Sequence, residues 1–251
     1  MLLAERQNQI INELNQKGRV HANELSALLG VSEDTIRRDL NKLAELKLLR
    51  RVHGGALPLQ LEVDDYAERL DANDPEKAKR AHKAIQFIEP GQTILLNSGE
   101  TCRYIAKGLP KGMNLTVVSA CPLIASDLAH HTNIDVILLG GTFFKPALRC
   151  VGATTVEALR RMRFDLCFLG LCALHPERGF SAKYLEEAEV IRISIEQSDR
   201  TIAMGSAERL GKVSYNKVAD CQALDVLITD KNAEHDILNL FTQQGLEIIS
   251  C

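Results

Sequence analysis

The sequence predicts a two-part α/β protein, in which a small, mostly helical N-terminal domain precedes a larger domain with a mostly parallel sheet. Up to about residue 57 the apolar residues recur at helical spacing, whereas after Gly91 short apolar runs alternate with amphipathic stretches. The 251 residues are 45% hydrophobic, which is enough apolar material for buried cores. We therefore assign the domains to 1–57 and 75–251, with a linker at 58–74.

The N-terminal domain reads as three helices followed by a strand and a turn. Ile10, Ile11 and Leu14 form an apolar stripe, and Gly18 is placed to end the first helix. Ser32 is placed to cap the third helix at its N-terminus. The later predicted elements are helices over 21–29 and 33–46, a strand over 48–52 and a turn over 53–55.

The third predicted helix carries a polar face opposite its apolar stripe. At ~100° per residue, Ile36 and Leu40 share the inner side and Arg38 points away from it. This helix follows a shorter helix and a glycine turn, and a basic strand and turn come after it. That order is typical of a winged helix-turn-helix, which reads duplex DNA. The alternative is a solvated face of surface ion pairs. The predicted DNA-contacting residues are Ser32, Asp34, Thr35, Arg37, Arg38, Asn41, Arg50, Arg51, His53 and Gly54.

Strands and helices alternate through the larger domain, which predicts a mostly parallel sheet covered on both faces. Pro75 suits the first turn of a helix over 76–88. The predicted strands are 93–97, 115–119, 135–139, 165–171, 201–204, 226–229 and 246–249. The predicted helices are 101–109, 122–130, 154–162, 185–197 and 236–244.

Turns of small residues follow several of these strands. Ligands of parallel sheets bind beyond the carboxyl ends of the strands, so these turns should converge on one crevice. The stretch 97–101 (Asn-Ser-Gly-Glu-Thr) opens a helix, whose free N–H groups suit an anion and above all a phosphate. Taken alone, the stretch 97–101 is more often an ordinary capped turn, and each of the other turns also has a plain turn explanation. The ligand-contacting residues predicted from these turns are Ser98, Gly99, Glu100, Thr101, Ser119, Gly140, Gly141 and Gly170.

Charge, cysteine and hydropathy patterns narrow the class of protein. Residues 1–57 carry nine Lys and Arg against seven Asp and Glu, a charge of +2, although the whole chain is at −3. The seven cysteines include no Cys-x-x-Cys pair, so we predict reduced, buried thiols and neither a metal site nor a cofactor. The apolar runs are too short to span a bilayer or to form a signal peptide, so we predict a cytoplasmic protein with no membrane partner.

Several strings resemble the signature of the DeoR family of sugar-operon repressors. In the first domain these are Leu29-Gly30-Val31-Ser32, Thr35-Ile36-Arg37-Arg38-Asp39-Leu40 and Arg51-Val52-His53-Gly54-Gly55-Ala56. In the larger domain Leu138-Leu-Gly-Gly141 and Ile228-Thr229-Asp230 are similar. The resemblance implies a winged helix-turn-helix that binds operator DNA. It also implies an effector domain that is similar in fold to ribose-5-phosphate isomerase and senses a small phosphorylated metabolite.

The resemblance adds Glu187 and Arg209 to the predicted effector-binding residues. It also shows departures from the family pattern, because Arg209 stands where lysine is usual and Glu208 where serine is usual. Glu100 lies in the phosphate loop, where a neutral residue is common. A carboxylate at that position repels a phosphate unless it points outward.

Two functions from different classes fit these patterns. An isomerase or deaminase acting on a sugar phosphate would need a general base, for which Asp165 and Glu187 qualify by residue type only. We read Asp165 as a structural cap and Glu187 as part of a solvated helix start. The favoured function is a transcriptional regulator without catalytic residues that acts as a repressor. The sequence does not distinguish a repressor from an activator. One DNA-binding head makes few base contacts, so a homodimer or homotetramer is expected.

Overall fold

The computed structural model describes residues 3–45, 48–58 and 74–251. The chain divides into two compact units, Met1–Leu61 with Gly211–Val213 and Glu62–Leu210 with Ser214–Cys251. The predicted linker at 58–74 lies outside the described residues except at its ends. Pro58 ends a strand, and Asp74 accepts hydrogen bonds from two backbone N–H groups at the start of a helix.

The first unit contains, in its described residues, three helices and a three-stranded antiparallel sheet. The elements are α1 (Leu3–Lys17), β1 (Val20–His21), α2 (Ala22–Leu29), α3 (Glu33–Glu45), β2 (Leu49–Val52) and β3 (Gly55–Pro58). Strand β3 lies between β1 and β2. A Cβ atom at Gly55 would fall 1.9 Å from the carbonyl oxygen of Val20. Only glycine therefore fits where β3 passes β1.

Apolar side chains from α1 and α3 form the core of this unit. Ile10, Leu14, Ile36 and Leu40 are fully buried, so the predicted stripes of both helices face inward. Asp39 is buried beside them, and its carboxylate accepts two hydrogen bonds from the Arg6 guanidinium at 2.5 and 3.3 Å. These bonds raise the pKa of Arg6 and join α1 to α3.

Two local predictions in this unit were wrong. His21 belongs to β1 rather than to the second helix, because Val20 and His21 pair with Ala56 and Gly55 of β3. Gly55 lies in that strand rather than in the turn, which occupies His53 and Gly54 alone. A strand of two residues has no periodicity, so its sequence gave no signal of pairing.

The second unit is built on a parallel sheet with flanking helices. Its helices are α4 (Pro75–Ile85), α5 (Glu100–Gly108), α6 (Pro122–Leu128), α7 (Ala153–Arg160), α8 (Leu185–Glu196) and α9 (His235–Gln243). The sheet strands are β4 (Thr93–Leu96), β5 (Leu115–Ser119), β6 (Ile134–Leu138), β9 (Phe164–Gly170), β12 (Ser198–Met204), β14 (Val226–Thr229) and β15 (Glu247–Ser250). Their order is β15-β14-β12-β9-β4-β5-β6, and all neighbours are parallel. The predicted mostly parallel α/β domain is confirmed.

Each face of this sheet carries its own core. Along β9, Leu166 and Phe168 pack into one buried cluster, whereas Cys167 and Leu169 pack into the other. Successive side chains of a strand point to opposite faces, so a strand covered on both faces is apolar without interruption. This burial explains why the run at 165–171 was readable as a strand.

Short antiparallel strands beside the main sheet were not predicted. They are β7 (Thr142–Phe144), β8 (Arg149–Val151), β10 (Ala173–His175), β11 (Gly179–Ala182) and β13 (Asn216–Ala219). They form a β7–β8 pair and a β10-β11-β13 sheet. Each has three or four residues and no alternating pattern, so its sequence does not distinguish it from a loop. Helix α4 also ends at Ile85, three residues before the predicted end at Ile88. The N–H groups of residues 86–88 instead donate to the carbonyl groups three residues earlier, in tight turns.

The cysteines behave largely as predicted. All seven are free, and Cys102, Cys121, Cys167 and Cys221 are buried. Burial raises the pKa of Cys167 to about 12 and that of Cys221 to about 11. These thiols are therefore protonated at neutral pH. No helix in the described ranges is long and apolar enough to cross a bilayer.

Candidate DNA-binding surface and ligand cavity

Helix α3 is aimed by a tight turn after α2. Gly30 adopts φ +65°, and its N–H donates to the Ser26 carbonyl to end α2. The Ser32 hydroxyl then accepts a hydrogen bond from the Thr35 N–H at 3.2 Å, which is the predicted cap at the start of α3. This turn fixes the angle between the two helices.

The outer face of α3 presents guanidinium groups to solvent. Arg38 is 81% exposed and pairs with Asp34 at 2.7 Å, and Arg37 pairs with Glu33 at 3.3 Å. The surface ion pairs expected for a merely solvated helix face are therefore present. Exposed pairs one helical turn apart contribute only about 0.3–0.5 kcal/mol. Breaking either of these ion pairs therefore costs little free energy.

The wing, which consists of β2, β3 and the turn between them, is tied to α3 by Arg51. Its Nε donates to the Asn41 Oδ1 at 2.9 Å and its guanidinium also donates to the Gly55 carbonyl. Arg51 is half-buried, so it positions the strand as well as carrying charge. Gly54 adopts φ +77° at the tip of the wing. Of the ten predicted DNA-contacting residues, Thr35 and Arg51 are half-buried and the other eight are exposed.

A cavity of about 600 Å³ opens in the second unit. It lies beyond the carboxyl ends of β4, β9, β12 and β14, where the parallel sheet predicts a ligand site. Seven predicted effector-binding residues line it: Ser98, Gly99, Glu100, Thr101, Gly170, Glu187 and Arg209.

The structure does not bring Ser119, Gly140 or Gly141 to this cavity. The Ser119 hydroxyl is buried, donates to the Leu96 carbonyl at 2.7 Å and accepts from the Cys121 N–H at 3.1 Å. The Gly140 carbonyl accepts from the Thr155 hydroxyl at 2.7 Å. Ser119 ends β5, and Gly140 and Gly141 follow β6; these are the two outermost strands on that side, and their ends lie beyond the crevice.

Arg149 supports the turn that lines the cavity. Its Nη1 donates to the Asn97 Oδ1 and, at 3.2 Å, to the Ser98 hydroxyl. The side chain is 2% exposed, and burial lowers its pKa although Glu187 favours the charged form. Sequence reasoning missed Arg149 because it lies on β8, one of the short strands without a pattern.

Helix α4 supplies cavity cations that sequence reasoning also missed. Lys77 pairs with Glu100 and, at 3.1 Å, with Asp74, while Arg80 pairs with Asp230 beyond β14. Burial alone would raise the pKa of Asp74, but hydrogen bonds from Lys77 and from the helix backbone lower it overall. Each of these cations therefore already faces a carboxylate of the protein.

These contacts show where the carboxylates of Glu100 and Glu187 lie. Glu100 does not point outward, since it is 8% exposed and pairs with Lys77 in the cavity wall. Glu187 does not lie on a solvated helix start, since it is half-buried in the same wall.

The other carboxylate considered as a general base lies far from the cavity in the sheet. Asp165 stands near the amino end of β9 and accepts from the Thr93 N–H at 2.7 Å. It is therefore the structural cap that we predicted. Within the described residues, no three His, Cys, Asp or Glu side chains form a group that could hold a metal ion.

Comparison with known families adds two matches. The family model described as the DeoR-like helix-turn-helix domain matches residues 6–60, and that described as the DeoR C terminal sensor domain matches residues 72–231. These ranges cover the outer face of α3, the wing and most of the residues that line the cavity.

Whole-chain relatives are similar in length. The transcriptional repressor GlcR of Bacillus subtilis is 30% identical over 99% of this chain and 96% of its own. The glycerol-3-phosphate regulon repressor of Escherichia coli is 27% identical over the full length of both. Among solved structures, ribose 5-phosphate isomerase A of Methanocaldococcus jannaschii matches 55% of each chain with 14% identity and a TM-score of 0.40.

Proposed function

Because this chain belongs to the DeoR family of DNA-binding transcriptional regulators, we propose that it represses a carbohydrate-utilisation operon under the control of a small phosphorylated metabolite. The observation that carries the proposal is the exposed face of α3, mounted on a buried core inside the helix-turn-helix match. The repressor names of the whole-chain relatives support the sign of regulation.

In this proposal α3 enters the major groove of operator DNA. Arg38, the most exposed arginine of the face, reaches base edges, and Arg37 holds the neighbouring phosphates. Arg50 and His53 on the wing contact the backbone or the minor groove. Arg51 and Asn41 position the wing against α3, because the hydrogen bond between them sets the distance between helix and wing.

The cavity holds the effector in this proposal, and its binding shifts the equilibrium between arrangements of the DNA-binding heads. The name of the glycerol-3-phosphate regulon repressor supports a phosphorylated metabolite as the class of ligand. We propose sensing rather than catalysis, since of the two carboxylates considered as a general base Asp165 is remote from the cavity and Glu187 is engaged electrostatically with Arg149.

We propose that the functional form is at least a homodimer. Two heads double the base contacts and match a two-fold operator. Strand β6 forms an outer edge of the sheet, and Val136, Ile137 and Leu138 on it are 36%, 38% and 48% exposed. A second copy of the chain would bury these side chains, which makes the β6 edge the proposed surface of association.

A gel-shift titration with the intergenic DNA beside its own gene tests the proposal. The full-length protein should bind that DNA ~10³-fold or more tightly than competitor DNA of equal length at the same salt concentration. A panel of sugar phosphates should contain a compound that weakens the complex. Equal affinity for both DNAs would refute regulation, and unchanged binding across a panel of all common sugar phosphates would refute the proposed effector class.

A further inference from the structure

The cavity wall is acidic for a site that receives a phosphate. In the described part of the chain it carries six carboxylates but only four basic side chains, Lys77, Arg80, Lys183 and Arg209. Three of those basic groups lie within 4.0 Å of a carboxylate oxygen of the wall. A phosphate monoester carries a charge of about −1.5 to −2 at pH 7. Summed over the whole wall, these charges therefore give no positive excess, so a phosphate depends on a local group of basic side chains.

The start of α5 is where this imbalance is sharpest. Gly99 precedes the helix with φ +118°, and the first turn of α5 has no side-chain cap. Glu100, the first helical residue, stands at the positive end of the helix, where an anion would otherwise bind. Its carboxylate thus adds a negative charge at the helix end where the phosphate was expected.

One oxygen of that carboxylate lacks a partner. The Glu100 Oε2 pairs with Lys77, whereas the buried Oε1 accepts no hydrogen bond from any described residue. The side chain is more than nine-tenths buried and forms part of the cavity wall. Buried polar atoms are rarely left unsatisfied, and a charged oxygen is the most costly to leave so. This oxygen therefore lacks the hydrogen-bond donor that a buried carboxylate needs.

We infer that Glu100 excludes phosphate from the start of α5 and instead accepts a hydrogen bond from a hydroxyl or ammonium group of the effector. This inference rests on the proposed function, in which the cavity holds an effector. The sugar part of the ligand, not its phosphate, then faces Ser98–Thr101. Any phosphate on the ligand binds at another part of the wall.

Inorganic phosphate is the probe that isolates this exclusion. Calorimetric titration of full-length Glu100→Gln should give a dissociation constant about tenfold or more below that of the wild type, because one repelling charge is removed beside Lys77 and the helix N-terminus. Glu76→Gln is the matched control. Glu76 lines the same cavity and pairs with Lys79, so this variant changes the net charge equally but leaves the turn intact.

The three titrations give distinct outcomes. The inference is supported if Glu100→Gln binds inorganic phosphate more tightly than the wild type and the phosphate affinity of Glu76→Gln changes by less than about threefold. Equal phosphate affinity in wild type and Glu100→Gln, or an equal gain in both variants, overturns it. If Glu100→Gln is not folded by circular dichroism, Glu100→Thr takes its place with the same expected result.

A second comparison identifies the donor. If glucosamine 6-phosphate binds the wild type more tightly than glucose 6-phosphate and Glu100→Gln abolishes the difference, the donor is an ammonium group. Similar affinities that both fall in Glu100→Gln assign a hydroxyl group. Affinities for both ligands that are unchanged in Glu100→Gln contradict a donor at this position. None of these titrations involves DNA, so a negative result here leaves regulation standing, and failed operator binding leaves this inference standing.

Discussion

Replacing Arg38 with alanine should weaken operator binding without weakening the fold. Arg38 is 81% exposed, and its only ion pair among the described contacts is with Asp34 at 2.7 Å. Losing such an exposed pair costs about 0.3–0.5 kcal/mol of folding free energy. Losing a guanidinium that contacts a base edge costs ~1–3 kcal/mol of binding in each half-site, which is roughly 5- to 150-fold in affinity. Binding should therefore fall far more than stability.

Fluorescence anisotropy with labelled operator at one fixed salt concentration measures this difference. Lys17→Ala is the matched control, because Lys17 is 57% exposed in the same unit and pairs with Glu13 at 2.6 Å. That variant removes an equal charge from α1 rather than from α3. The reasoning is refuted if Arg38→Ala binds operator as tightly as Lys17→Ala does, or if its melting temperature falls as much as its affinity implies.

Three further predictions concern the two cores and the β6 edge. Leu40→Ala, at a fully buried position of α3, should destabilise the first unit by about 2–5 kcal/mol in a urea titration and abolish operator binding; an unchanged midpoint would contradict the packing described above. Ile137→Glu should shift the protein toward a monomer in size-exclusion chromatography, and an unchanged elution volume would exclude the β6 edge as the interface. Burial raises the pKa of Cys167 to about 12 and that of Cys221 to about 11. As pH rises above the ordinary thiol pKa of 9.0, the unfolded chain therefore loses these protons before the folded chain does. The free energy of unfolding should fall over that range. A melting temperature that stays constant from pH 8 to pH 10.5, compared with a Cys167→Ala, Cys221→Ala variant, would argue against that account.

Features encoded by neighbouring residues were predictable from the sequence. The outer face of α3 follows from the spacing of Ile36 and Leu40, and the Ser32 cap follows from one hydroxyl before a helix. The strands of the parallel sheet were readable because burial on both faces makes them continuously apolar.

Features that depend on distant contacts were not predictable. Arg80 meets Asp230 across 150 positions of sequence, so nothing local marks it as part of a cavity. Ser119 was assigned to the crevice because every strand end resembles every other in sequence. Only the strand order shows that β5 and β6 lie outside it. Arg149 was missed because a fully buried arginine on a three-residue strand follows no pattern of charge or hydropathy.

A methylation-protection footprint of the operator tests the central claim most directly, since the methylated N7 atom of guanine lies in the major groove. Insertion of α3 predicts protected guanines in two half-sites separated by one helical turn, about 10–10.5 base pairs, or a multiple of it, and loss of that protection with Arg38→Ala. Protection that is absent from the major groove, or that persists unchanged in Arg38→Ala, would contradict the assignment of α3 as the DNA-reading helix.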